Sequence, residues 1–317
     1  MQLNAITRKS ALMAILLLMV ILAAAVVRYS LTPFEMELAD SPFRGRAISL
    51  GLAALVYLYC GVIEGKMLPR SGLSKGYSTL PIPIFGVLAC GVLFAPAALP
   101  TAAASLCFAL ALHLLLRSLH NAGEKDSVFF ASLLLGSMVL LSPPCLVLAL
   151  VIPIAILVLA LSFRQALLML VGYMLPLLGA SYVVWYRGDE ILDFGRNVIS
   201  VILSPQMAAV ENLPYLTIAI VLLVAVLLIW GMIYAIIHPD KMFLLARVRR
   251  ALHFFVWVTL LTLLILFVPA CNLSVGAIIA VPATILLSFV LGVLPNNQST
   301  IAYWVLLALF VAHLFVA

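Results

Sequence analysis

The chain reads as an all-α polytopic membrane protein, a bundle of about eleven transmembrane helices with its amino terminus in the cytoplasm. Three observations predict this. Of its 317 residues, 66% are hydrophobic and 9% are charged, against ~25% charged in a soluble domain. The apolar residues form runs that recur from residue 11 to Ala317, too many for one or two water-excluding cores to hide. The charges between the runs segregate by sign from one connection to the next, as they do when a chain crosses a bilayer repeatedly.

The first run, 11–27, follows Arg8 and Lys9 and ends near Ala23-Ala24-Ala25, an arrangement that imitates a secretory signal. It is longer than the ~7 to 15 residues of a signal core and more runs follow, so an uncleaved first helix is expected. Further runs lie at 47–63, 82–98, 101–119, 127–142, 145–162, 165–186, 215–237, 251–270, 274–293 and 301–317. Each approaches the ~20 residues that cross ~30 Å of hydrocarbon as α-helix. The runs are continuously apolar rather than alternating, which favours helices over a β-barrel.

With the amino terminus inside, the inner segments hold Arg8, Lys9, Lys66, Arg70, Lys75, Arg117, Lys125, Arg164, Lys241, Arg247, Arg249 and Arg250. The outer segments hold only Arg28, Arg44, Arg46, Arg187 and Arg196 among the basic residues, together with Glu35, Glu37, Asp40, Asp189, Glu190, Asp193 and Glu211. One miscounted span would flip every later loop, so this split supports the count as far as residue 250 and points to a bacterial cytoplasmic (inner) membrane. Tyr182, Trp185 and Tyr186 close the seventh span at its outer end, where amphipathic rings sit at headgroup level.

No long polar linker divides the chain, and residues 1–317 form a single membrane domain with outer loops 28–46 and 187–213 and a basic inner loop 238–250. The net charge of +6 is scattered over short connections rather than gathered into a stripe, which argues against nucleic acid and for membrane lipids as the partner. The inner loop suits anionic headgroups, at ~1 kcal/mol per basic residue; docking of a cytoplasmic protein is the alternative. Cys60, Cys90, Cys107, Cys145 and Cys271 show no metal-ligand spacing and read as small buried hydrophobes.

Two outer loops are long enough to build a site. In the first, Glu35, Glu37 and Asp40 precede Arg44 and Arg46, a mixture that could position a metal ion or a diphosphate, or simply serve as a solvated connector. In the second, Ile191, Phe194, Val198, Ile199, Val201 and Ile202 fall near one helical face, which predicts a helix lying along the outer surface. Ser142-Pro143-Pro144 joins two short runs and Pro153 interrupts the second, which reads as a tight hairpin with a kink or as backbone opened to a cavity. Apart from end residues such as Glu64, the runs lack Asp, Glu, Lys and Arg, and His113 and His313 are their only well-embedded ionisable groups. No GxxxxGKS, HExxH or GxSxG motif occurs, so no motif assigns a cofactor or a metal.

The order of features resembles polytopic C-type glycosyltransferases, which use lipid-linked sugar donors. The resemblance rests on Phe34-Glu35-Met36-Glu37-Leu38-Ala39-Asp40 after the first span and on Phe129, Leu135-Gly136, Ser142-Pro143-Pro144, Phe163-Arg164 and Gly172-Tyr173-Met174-Leu175-Pro176. It spans roughly residues 11 to 190. It implies that Glu35, Glu37 or Asp40 serves as catalytic base or metal ligand, that Arg44 or Arg46 faces phosphate, and that a polyprenyl-linked sugar is the substrate. The acids lack the family's usual paired pattern, and no soluble domain follows in the second loop. The chain equally resembles multi-pass bacterial inner-membrane proteins without an assigned activity. Sugar transfer at the outer face is therefore one expectation; a transporter or flippase for an amphiphile, and a non-catalytic subunit bound to another membrane protein of the envelope, are the others.

Overall fold

The computed structural model describes residues 11–31, 46–73, 79–91, 99–120, 125–203, 215–237, 246–265, 268 and 276–316. Among the described residues all regular structure is helical and no strand occurs. The α-helices are α1 (Ala11–Leu31), α2 (Arg46–Ser71), α3 (Pro81–Gly91), α4 (Leu99–His120), α5 (Lys125–Leu141), α6 (Val151–Val158), α7 (Phe163–Tyr186), α8 (Asp193–Ile202), α9 (Tyr215–Ile237), α10 (Ala246–Ile265), α11 (Gly276–Val293) and α12 (Asn296–Val316). A 3-10 helix, Pro143–Leu150, leads directly into α6.

Among the described residues, five helices are long and apolar enough to cross a membrane: α2 over Ser49–Ser71, α4 over Leu99–Leu119, and α7, α10 and α11 over their full lengths. The others have shorter described apolar stretches, such as Ala11–Val27, Ile218–Trp230 and Asn297–Ala312. For one of them backbone geometry makes up part of the deficit. Eight residues of 3-10 helix followed by eight of α-helix extend roughly 28 Å, against roughly 24 Å for the same residues as α-helix alone.

Side-chain pairings set the helix directions. Cys60 meets Ser105 and, further along both helices, Arg70 meets His113, so α2 and α4 run parallel. Gly65 faces Ile82 while Tyr57 lies against Phe85 with ring centroids 6.3 Å apart, so α3 runs antiparallel to α2. Likewise Phe129 and Ser132 face Gly172, while Gly136 faces Tyr173 and Pro176, which makes α5 and α7 parallel. The segments between these partners, α3 and 143–158, therefore lead back along the bundle. Since α4 packs closely on α5 across the short connection 121–124, the ends of α2 and α4 share one side with the starts of α5 and α7. The start of α10 joins them, because Val248 lies beside Gly72.

At the centre stands α11, which touches α2, α3, α4, α9, α10 and α12 and is 89% buried. It is apolar all round, the pattern of a helix with no outward face. At the edge, α7 is only 17% buried and exposes Leu167, Leu170, Val171, Leu175 and Leu178. A belt of that extent is not compatible with water and fits hydrocarbon.

Where helices meet most closely the contact residues are small. A side chain at Gly136 would strike the Tyr173 carbonyl, and one at Gly172 would strike Ser132 Oγ and the Phe129 carbonyl. Between lipid-immersed helices, such close approach supplies the dispersion attraction that the hydrophobic effect does not.

Candidate functional site

The apolar run predicted to stop at residue 63 does not end the helix. α2 continues to Ser71, because Met67 and Leu68 extend the same buried stripe one turn past Glu64. Tyr57, Cys60, Glu64, Met67 and Ser71 all lie on that stripe and all are buried. Glu64 thus sits seven residues inside the helix end, about 10 Å along the axis, with no solvent-accessible surface. The hydropathy pattern predicts an end residue here, and the structure encloses it.

Two glycines flank it. A Cβ at Gly61 would collide with Leu18 of α1, and one at Gly65 would meet Ile82 of α3 at 2.8 Å. The Gly61-x-x-x-Gly65 spacing lets both neighbours close over this part of α2. Among the described residues, neither carboxyl oxygen of Glu64 has a hydrogen-bond partner. A carboxyl group so placed is costly to bury, and an ionisable residue at membrane depth is a functional-site candidate by default.

One turn away, Cys60 and Ser105 are 3.9 Å apart. Ser105 Oγ already donates to the Ala102 carbonyl at 2.7 Å, so the Cys60 thiol is the donor of this pair. Toward the helix end, the Arg70 guanidinium donates to Nε2 of His113, which places the imidazole proton on Nδ1. That Nδ1 is buried without a partner among the described residues. Lys66 and Arg117 contribute positive charge around the same ring. The seam between α2 and α4 thus holds, in order, a thiol–hydroxyl pair, an isolated carboxyl and an arginine–histidine pair.

The residues expected from the first loop lie elsewhere. Glu35, Glu37, Asp40 and Arg44 fall outside the described residues. Arg46 is the first residue of α2, at the end of the bundle opposite His113. The helix predicted in the second loop is present as α8: Phe194, Val198 and Ile202 turn inward, while Ile191, Ile199 and Val201 are exposed. At its start Arg196 donates to Glu190 at 2.8 Å and to Asp193 at 3.3 Å. The basic stretch placed in an inner loop is helical in its second half, since Arg247, Arg249 and Arg250 belong to the first turns of α10; 238–245 lies outside the described residues. His313 is in α12. Cys60 and Cys145 are buried thiols and Cys107 is a half-buried one; Cys90 is in α3 and Cys271 lies outside the described residues.

The Pro-rich junction takes a specific form. Ser142, extended, precedes Pro143 and Pro144 in the first turn of a 3-10 helix of eight residues, longer than the usual three or four. Beside it, the Tyr173 hydroxyl of α7 has no partner among the described residues. A separate cavity of about 100 Å³ lies between α3, α9, α10 and α11, lined by Leu88, Ile220, Val224, Thr259, Ile279 and Ala283 among others. Its wall is apolar, so it suits hydrocarbon rather than a charged group. Among the described residues no cluster of three His, Cys, Asp or Glu side chains could hold a metal ion.

Comparison with protein-family models, with curated proteins and with solved structures returned no match for this chain.

Proposed function

We propose that this chain crosses a bacterial cytoplasmic membrane eleven times, with its amino terminus inside, and moves an amphiphile such as a lipid-linked molecule between the leaflets. The observation that carries this reading is the segment 143–158, where eight residues of 3-10 helix pass directly into a two-turn α-helix. A stretch of 3-10 winding within a helix often marks a functional hinge, which a carrier needs in order to change the side to which it opens. The apolar cavity beside α9 offers room for part of a hydrocarbon chain. Orientation is supported by the charges: Lys66, Arg70, Arg117, Lys125, Arg164, Arg247, Arg249 and Arg250 are exposed at one end, whereas Arg187 and Arg196 accompany Asp189, Glu190 and Asp193 at the other.

The test is movement of labelled phospholipid and of polyprenyl-linked sugar in sealed vesicles containing the purified chain. Wild-type protein is expected to accelerate exchange of at least one of them, and Pro144→Ala, which lets the 3-10 turn relax toward α-helix, to slow it several-fold. No acceleration with any lipid tested would reject the reading.

A second reading, sugar transfer from a polyprenyl carrier, draws on the first-loop acids and on the arrangement of Arg46 and α8 at one end of the bundle. Single Ala replacements of Glu35, Glu37 and Asp40 test it at matched membrane levels. Undiminished envelope-glycan synthesis in all three would exclude it.

A further inference from the structure

We propose that Glu64 is a proton-binding site in the membrane interior, loaded and unloaded from the end of the bundle where Arg70 and His113 meet. This goes beyond the lipid-transport reading and is measured without it. A carboxyl group kept for architecture alone is expected to carry a hydrogen bond or a counter-ion, since an unpaired one costs free energy and returns none. Glu64 has neither among the described residues, although cationic side chains lie on its own helix: Lys66 and Arg70 are both exposed and point elsewhere.

The surroundings narrow the ligand to a proton. The helices packed most closely on α2 are α1, α3, α4 and α11; the start of α10, which carries Arg247, Arg249, Arg250 and His253, approaches at Gly72, just past the end of α2. No titratable or charged side chain is carried by α1 between Ala11 and Val27, by α3 between Pro81 and Ala89, or by α11 anywhere. Through Leu119, α4 brings Cys107, His113 and Arg117. On α2 itself, from Ser49 to Ser71, the remaining groups are Tyr57, Tyr59, Cys60, Lys66 and Arg70. A metal ion would need several oxygen or nitrogen ligands, and no such cluster forms among the described residues; a proton needs only the carboxyl oxygen.

The route is polar at one end. His113 stands at the level of Arg70, about 9 Å along the helix from Glu64, and its Nδ1–H is unpaired among the described residues. On the other side, Cys60 and Ser105 form the next polar contact, and the thiol is already committed to the hydroxyl. Of the two, only the histidine side leads on to exposed polar groups, Lys66 and Arg70, at the end of the helix.

The carboxylic-acid carbonyl band in the infrared spectrum of the full-length chain in lipid vesicles tests the site, followed from about pH 5 to about pH 9. A band of an unbonded acid that fades as pH rises is expected in wild type. It should be displaced but present in Glu64→Asp and missing in Glu64→Gln. A wild-type spectrum that does not change with pH, or that is unaltered by Glu64→Gln, would overturn the proposal. Should the Gln variant fail to fold, an apolar carbodiimide applied to wild type decides instead. The peptide bearing Glu64 is expected to gain the adduct, with a yield that falls about tenfold or more from the acid to the alkaline end relative to exposed Glu190. Absence of adduct at every pH overturns the site as well. If Glu64 exchanges a proton and no lipid moves, the transport reading falls alone.

Discussion

Glycines in this chain divide by what stands opposite them, and the division is testable. At Gly172 a methyl group would strike Ser132 Oγ and the Phe129 carbonyl, whereas at Gly179, two turns further along the same exposed helix, nothing lies within 4 Å. Gly172→Ala is therefore expected to lose ~1 to 3 kcal/mol through overpacking at a backbone contact, visible as a lower Tm in detergent. Gly179→Ala is expected to hold or raise Tm slightly, since Ala is the better helix former. Equal effects at both positions would contradict the α5–α7 contact. The sequence displays Gly136 and Gly172 plainly, but their partners are not written beside them. Glu64 was hidden for a related reason. Hydropathy falls at Glu64, Gly65 and Lys66, so the run seemed to end, although Met67 and Leu68 continue its buried stripe.

Helix ends are governed by local chemistry that the sequence does carry. The turn after α6 includes Ala160 at φ 54°, and α7 then opens with a capping box: Ser162 Oγ accepts from the Gln165 amide, while Gln165 Oε1 accepts from the Ser162 amide at 3.0 Å. Ser162→Ala is expected to cost about 1 kcal/mol, read as faster hydrogen exchange in the first turn of α7 with the rest of the bundle unchanged. Protection lost throughout the molecule would mean that the cap holds more than its own helix. The amphipathic α8 was legible for the same local reason, because its period appears in ten residues. The 3-10 course of Pro143–Leu150 was not. Two prolines announce a helix start, but the tighter winding that follows depends on α5, α8 and α10 packed against it.

For the whole molecule the decisive question is which end faces the cytoplasm. In a background with the native cysteines replaced, Asp189→Cys is expected to react with a membrane-impermeant maleimide in intact cells, and Arg250→Cys only after permeabilisation. The reverse pattern would invert the bundle and every role attached to its ends. The same experiment checks the crossing count between the two positions, since an even number of spans would place both on one side.

Composition and run length alone predict apolar helices suited to lipid, and the described residues bear out the helices. These follow from terms that act residue by residue: transfer into hydrocarbon, and satisfaction of the backbone within each segment. The tertiary structure decided that α11 is the hub, that α7 is the edge, and that Glu64 is enclosed. In a membrane, lipid-facing and protein-facing positions are both apolar, so little amphipathic signal distinguishes them. Only the close fit of small residues on neighbouring helices says which faces meet, and that fit belongs to pairs of segments far apart in the chain.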